Sequence, residues 1–345
     1  MKRNRPEITL IIICLVALAC FAVSLQGCGR AVIGVTSPHP GWQITHPFDM
    51  VMALAVDRDT VWVGTKNGVY AVDRKTGTLI KKLETDPPMD YVKALLVGPA
   101  GELYIGQFNG LTVFNANGYR TYTKKDGLPD NRVNALLKDR DGRLWVGTWG
   151  GIGILENGKW RTLTSADGLI TDMVNVMLQD SSGGMWFGSM VAPRGGISYL
   201  KDGRWQLFST NNGLPHNNIN AMIEDNSGNV WAGTGLLDRG GAVCFASTEK
   251  GWSIQKVLLK KDGLAGEKVR SIFQDKDGVM WFGSEYDGIA RFENSNWRVL
   301  NIKDGLPDPE VMAMFQDVDG NLWLGTQLAV IRLSADALNA LKRGM

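Results

Sequence analysis

Trp145-Val-Gly147-Thr148 returns along the chain as Trp62-Val-Gly64-Thr65, Tyr104-Ile-Gly106-Gln107, Trp186-Phe-Gly188-Ser189, Trp231-Ala-Gly233-Thr234, Trp281-Phe-Gly283-Ser284 and Trp323-Leu-Gly325-Thr326. Successive aromatic positions lie 42, 41, 41, 45, 50 and 42 residues apart, the period of a four-stranded propeller blade. The third copy shows what surrounds the step: Asp126-Gly-Leu-Pro129, Val133-Asn-Ala-Leu-Leu137, Asp139-Arg-Asp-Gly142, then Gly151-Ile-Gly-Ile-Leu155 and Gly158-Lys-Trp160-Arg-Thr-Leu163. Four short strands separated by turn residues fit this unit. The first strand reads as apolar on both faces, as expected for a strand pressed between neighbouring blades near the axis. The second sets the aromatic and the glycine on one face, where glycine leaves room for a bulky side chain from the adjacent blade.

The fourth strands carry their own aromatic marker at Tyr119, Trp160, Trp205, Trp252 and Trp297. After the seventh unit that strand is missing, because the chain runs from Ala329-Val-Ile-Arg-Leu333 directly into a helix-like segment, residues 334–343. Gly41-Trp42-Gln43-Ile44, ahead of the first unit, matches the missing strand in type. The expected fold is all-β: a seven-bladed β-propeller over residues 41–333, its ring closed by an N-terminal strand that completes the last blade, with a short C-terminal helical tail over 334–345. Closure of this kind removes exposed sheet edges. The surplus of glycine and tryptophan, 42 and 12 residues, follows from many turns and from large side chains packed between blades.

Residues 1–27 are of another kind. Lys2, Arg3 and Arg5 precede an apolar run from Ile8 to Leu25, the pattern of an export signal. Leu25-Gln26-Gly27-Cys28 resembles the lipobox of bacterial lipoproteins, which implies acylation of Cys28 as a lipid anchor. An uncleaved membrane anchor is the alternative, since 18 mostly apolar residues reach the short limit for a spanning helix. Either reading leaves residues 28–40 as a linker and the propeller outside the cytoplasm. Gly29 after the cysteine, by resemblance to lipoprotein sorting, implies the periplasmic side of the outer membrane or the cell surface. Cys14, Cys20 and Cys28 belong to this region and only Cys244 to the repeats, so no disulfide framework is available.

The order Asp-Gly-Leu-Pro, Val-x-x-Leu, Asp-x-x-Gly-x-Leu-Trp-x-Gly-Thr, Gly-Ile, Gly-x-Trp resembles the two-component regulator propeller repeat. That repeat is found in extracytoplasmic sensor regions of hybrid histidine kinases and in stand-alone exported proteins. The resemblance covers nearly the whole chain after the leader. Blade two departs from it, with Tyr104 and Gln107 in place of Trp and Thr. The implied role is a non-catalytic ligand-binding sensor or interaction module. About a dozen residues follow Leu333, which leads us to expect no kinase or output domain and signalling through another protein. An envelope scaffold that holds protein partners is the alternative, and a propeller lyase or hydrolase comes third.

Candidate chemistry is sparse. Asp139-Arg-Asp-Gly142, Asp275-Lys-Asp-Gly278 and Asp317-Val-Asp-Gly320 open like a calcium loop, but the twelfth position holds Gly150, Tyr286 and Leu328 instead of glutamate. They read as hairpin turns. Val72-Asp73-Arg-Lys-Thr76-Gly77 occurs once and cannot build a cofactor site alone. Of His39, His46 and His216 only the last falls on a loop near the axial mouth, with no readable triad, paired carboxylate or metal cluster. No catalytic residue, metal or cofactor is therefore expected. The 37 basic and 35 acidic residues become equal in number once Lys2, Arg3, Arg5 and Glu7 are set aside, which gives nucleic-acid binding no electrostatic support.

What varies is the loop between second and third strands, on the face that also carries the connections between blades. Blades four and five enlarge it to Met190-Val-Ala-Pro-Arg194-Gly-Gly196 and Gly235-Leu-Leu-Asp-Arg239-Gly-Gly241. The expected binding surface comprises Phe108, Trp149, Arg194, Arg239, Glu285 and Tyr286. The aromatic rings would stack on an apolar or sugar face, and the arginines would fork onto a carboxylate or a partner's acidic group. A monomer is expected, with a small ligand, carbohydrates included, or an envelope protein as its partner.

Overall fold

The glycine of each aromatic-x-Gly step is the seat of the neighbouring blade. The computed structural model describes residues 35–36, 39–46, 48–191 and 193–343, which form seven antiparallel sheets. A Cβ placed on Gly64 would lie 2.8 Å from a methyl of Val92, on Gly106 2.7 Å from Val133, and on Gly147 3.0 Å from Val174. The series continues around the ring until Gly325, where the added carbon would meet Val51 of blade one at 2.6 Å. Each blade thus inserts the first valine or isoleucine of its inner strand over a residue that has no side chain. Substitution there meets a close-packed wall.

Blade three shows the common order. Val133–Lys138, Leu144–Thr148, Gly151–Glu156 and Lys159–Leu163 pair in succession, all antiparallel. Blade seven takes its outer strand from the other end of the chain. Trp42–Thr45 pairs with Val330–Leu333, Trp42 opposite Leu333 and Thr45 opposite Val330, and Val35–Thr36 lies outside it. The helix Ala335–Arg343 follows, its Ala337 and Leu338 buried in one cluster with Trp42. The core is distributed between blades: Trp186, Tyr199 and Phe208 of blade four pack with Ile219, Phe245 and Trp252 of blade five. Residues 1–27 and Cys28 lie outside the described residues.

The Asp-x-x-Gly turns have a second task. Asp139 Oδ2 accepts the indole N–H of Trp145 at 2.7 Å, and Asp180, Asp225, Asp275 and Asp317 do the same for Trp186, Trp231, Trp281 and Trp323. Each of these aspartates also accepts backbone N–H groups of its own hairpin, as Asp180 does from Ser182 and Gly184 at 2.9 Å. Their oxygens are committed to the fold. Blade two, with Gly98 where the aspartate would stand, has Tyr104 in place of tryptophan and so has no indole N–H at this place, whereas blade one keeps Trp62 with Val56 at the aspartate position.

The inner strands differ from the sequence expectation. In blades one and three to seven the register slips by one residue between Val51 and Ala53, Val133 and Ala135, Val174 and Val176, Ile219 and Ala221, Val269 and Ser271, and Val311 and Ala313. A bulge sets two residues against one and re-aims a side chain. The first of the pair enters the inter-blade gap; the second, Met52, Asn134, Asn175, Asn220, Arg270 or Met312, lines the axis. The strand is therefore not apolar on both faces, because the bulged residue is withdrawn from the blade stack and can be polar or charged.

Candidate functional site

Lys93 follows Val92 in blade two and completes the axial ring. The ring holds three asparagines whose amides tie one blade to the next. Asn134 Nδ2 donates to the carbonyl of Val174 at 3.1 Å, Asn175 to Ile219 at 2.7 Å, and Asn220 to Val269 at 3.0 Å. Ser271 extends the series by donating its hydroxyl to the carbonyl of Val311 at 2.7 Å. Around the ring lies a cavity of about 230 Å³ that opens on the loop face past Met50, Tyr91 and Phe108. On its other side the same ring borders a second cavity of about 300 Å³, lined by Leu54, Leu95, Leu136, Met222 and their equivalents.

The rim is aromatic. Tyr91 stacks on Phe108 with centroids 4.9 Å apart, and Phe108 meets Trp149 edge to face at 6.0 Å. The Arg132 guanidinium covers Trp149 at 4.1 Å and is held by Asp130 at 2.7 Å. Trp149 Nε1 donates to Asn134 Oδ1 at 3.3 Å, which joins rim to ring. Met50 and Tyr91 both have positive φ, 56° and 48°, an uncommon conformation for bulky side chains.

The charges are unequally partnered. Lys268 Nζ pairs with Glu285 at 2.8 Å, and Arg270 pairs with Glu310 at 2.8 Å. Burial chiefly raises the Glu310 carboxyl above its ordinary range. Burial, then Arg270 and Lys268, pull Lys93 down to about 8.

The six residues expected from the sequence fall in three places. Phe108 and Trp149 form the axial rim. Glu285 and Tyr286 border a separate cavity of about 310 Å³ between blades five and six, with Leu237, Asp238, Lys260 and Lys268. Arg194 and Arg239 are exposed, and among the described residues neither forms an ion pair. The enlarged loop of blade five proves to be a strand extension, since Val230–Leu236 and Arg239–Thr248 pair as far as Leu236 opposite Arg239. His216 accepts the N–H of Asn218 through Nδ1 at 2.9 Å, and burial with Arg239 and Lys268 lowers its pKa. Among the described residues no group of three or more His, Cys, Asp or Glu side chains could hold a metal ion.

Residues 127–150, 213–235, 263–286 and 305–327 match the family model described as two component regulator propeller. The chain carries two-component regulator propeller repeats. The matched segments each run from the Asp-Gly-Leu turn to the aromatic-x-Gly step of blades three, five, six and seven. No curated protein is a significant match. Among solved structures, the chain is similar to the extracellular domain assigned to a hybrid two component system of B. thetaiotaomicron. That match has 20% identity and a TM-score of 0.75 over 89% of this chain, which spans 42% of that domain. Virginiamycin B lyase from Staphylococcus aureus matches with 16% identity and a TM-score of 0.64, over 85% of this chain and 99% of the lyase. PorZ, a surface component of the type-IX secretion system of Porphyromonas gingivalis, matches with 16% identity and a TM-score of 0.65, over 85% of this chain and 48% of PorZ. At these identities the likeness is one of fold.

Sequence reasoning missed Tyr91, Lys93, Asn134, Asn175, Asn220 and Arg270. The available signal was the residue after the first valine or isoleucine of each inner strand, which is polar in five blades. Periodicity alone assigns that residue to a blade face, because a bulge is invisible to a period-2 pattern.

Proposed function

We propose that this protein is an exported, non-catalytic propeller that binds a small ligand at the loop-face mouth of its axis and passes the signal, or the bound state, to another envelope protein. The observation that carries this reading is the Tyr91–Phe108 stack, with Trp149 edge-on to it, at the mouth of an open axial cavity. Aromatic faces on a rigid scaffold suit sugar or apolar ligands. The similarity in fold to an extracellular two component system domain supports a sensor role. Cys28 supplies the membrane attachment in this reading, a role read by the intact mass of the mature N-terminus.

Thermal shift against a library of sugars and organic acids tests the proposal. A specific ligand at about a hundredfold over its Kd adds about 2.7 kcal/mol to stability, and F108A/W149A is expected to abolish the shift. Arg194 and Arg239 do not line this cavity, so R194A/R239A is expected to weaken binding only of a ligand or partner that extends onto the outer loops. If F108A/W149A leaves every observed shift unchanged, the site lies elsewhere. A second reading, a scaffold that docks a protein, is favoured by Leu237 and Tyr286, 66% and 64% exposed beside the cavity between blades five and six. A partner lost on L237D/Y286A but retained on F108A/W149A would select it.

A further inference from the structure

The axial ring and the charged residues beside it hold more cations than carboxylates. Three cationic side chains, Lys93, Lys268 and Arg270, meet two carboxylates, Glu285 and Glu310. The pairs Lys268–Glu285 and Arg270–Glu310 use both acids. Lys93 is left facing the cavity with no carboxylate partner among the described residues. The partnership of Arg270 is itself incomplete: its Nε is buried and has no acceptor among the described residues. A buried N–H without an acceptor is costly and rare. Lys93 and Arg270 line one cavity, and an unpaired ammonium beside a guanidinium whose own partnering is incomplete describes a place for an anion.

The walls narrow the class. Met50, Met52 and Met312 line the same cavity, and the Tyr91–Phe108 stack stands at its mouth. The Asn134 and Asn220 Nδ2 groups already donate to blade carbonyls, which leaves Lys93 and Arg270 as the cationic donors of the cup. One surplus positive charge suits a monoanion better than a dianion, whose second charge would stay desolvated and unpaired.

Resting on the axial binding site proposed above, we propose that its ligand class is small monocarboxylates with an apolar or aromatic body, the carboxylate seated between Lys93 and Arg270 and the body against Met52, Met312 and the Tyr91–Phe108 stack. Lys93 then has a direct reason to occupy a position that costs the empty protein stability. The low proton affinity of Lys93, about 8, adds a pH signature. An anion favours the charged ammonium, so affinity weakens as the pH rises through that value.

Calorimetric titration of the full chain with benzoate, 3-phenylpropionate and hexanoate, each beside its neutral amide, tests the proposal. The carboxylates are expected to bind more tightly than the amides by about tenfold or more. K93M is expected to erase that preference while raising the melting temperature of the unliganded protein, and K93R to retain it. The rise in melting temperature shows that K93M is folded. Equal affinity for acids and amides, no acid binding at millimolar concentration, or acid binding untouched by K93M each overturns the carboxylate site. Neutral ligands whose binding depends on Phe108 and Trp149 but not on Lys93 would overturn it and leave the ligand-binding reading standing. Loss of both would remove both.

Discussion

Asp180 shows how much one side chain does in each repeat. It is fully buried and accepts from the Ser182 and Gly184 backbones, the Ser182 hydroxyl and the Trp186 indole, all within 3 Å. Alanine there would strand several buried donors, and each costs about 1–3 kcal/mol. D180A is therefore expected to lose about 3–5 kcal/mol in urea unfolding, because more than one of these donors is left buried without an acceptor. The equivalents Asp139 and Asp317 add a pH dependence. Burial by itself would raise their pKa values, but hydrogen bonds from Trp145 and Arg143, and from Trp323 and Asn321, outweigh it and hold both below 3.8. A depressed carboxyl contributes stability above its unfolded pKa and loses it as pH falls through the folded value. D317N is thus expected to flatten the loss of stability below pH about 4; an unaltered acid limb in D317N would contradict the assignment. The sequence made these turns legible as hairpins. The tryptophan partner was legible only by comparing copies, since blade two loses aspartate and indole together.

At the scale of elements, the bulged inner strand sets both the packing and the site. Its first residue locks the blades and its second faces the axis, a division that a regular strand could not make because neighbouring side chains would point to opposite faces of one sheet. Gly188 tests the locking half. A Cβ there would lie 2.7 Å from both Ile219 and Val176, so G188A is expected to cost about 1–3 kcal/mol by overpacking. Removing the opposing Cγ2 methyl with I219A should recover part of this, and a double-mutant cycle reads the coupling. Additive effects of the two substitutions would mean that the blades do not meet at this glycine. Strand existence, order and boundaries were legible here because glycine, aspartate and tryptophan recur at fixed offsets. The bulge was not, because it changes no residue type in a way that a hydrophobic period registers.

For the whole molecule, closure of the ring is the decisive event. Trp42–Thr45 completes blade seven, and a second clasp joins its hairpin to blade one: Arg74, 6% exposed, pairs with Asp319 and lies 3.8 Å from Asp317. The Val72–Gly77 turn is thereby accounted for as a ring fastener. Removing residues up to Thr45 is expected to lower the melting temperature of the entire propeller by more than any single substitution above, because it reopens a sheet edge and unpacks the cluster around Trp42. An unchanged melting temperature in that truncation would show that the ring closes without it. The sequence alone determined the number of blades, their strands, the donated closing strand and the face that carries the variable loops. These follow from local repeats, where each copy reports the same turn chemistry and the same spacing. Only the tertiary structure decided which residues meet at the axis. Lys93 and Arg270 are 177 positions apart in the chain, and nothing local records that a bulge in each blade turns one side chain inward to share a single cavity.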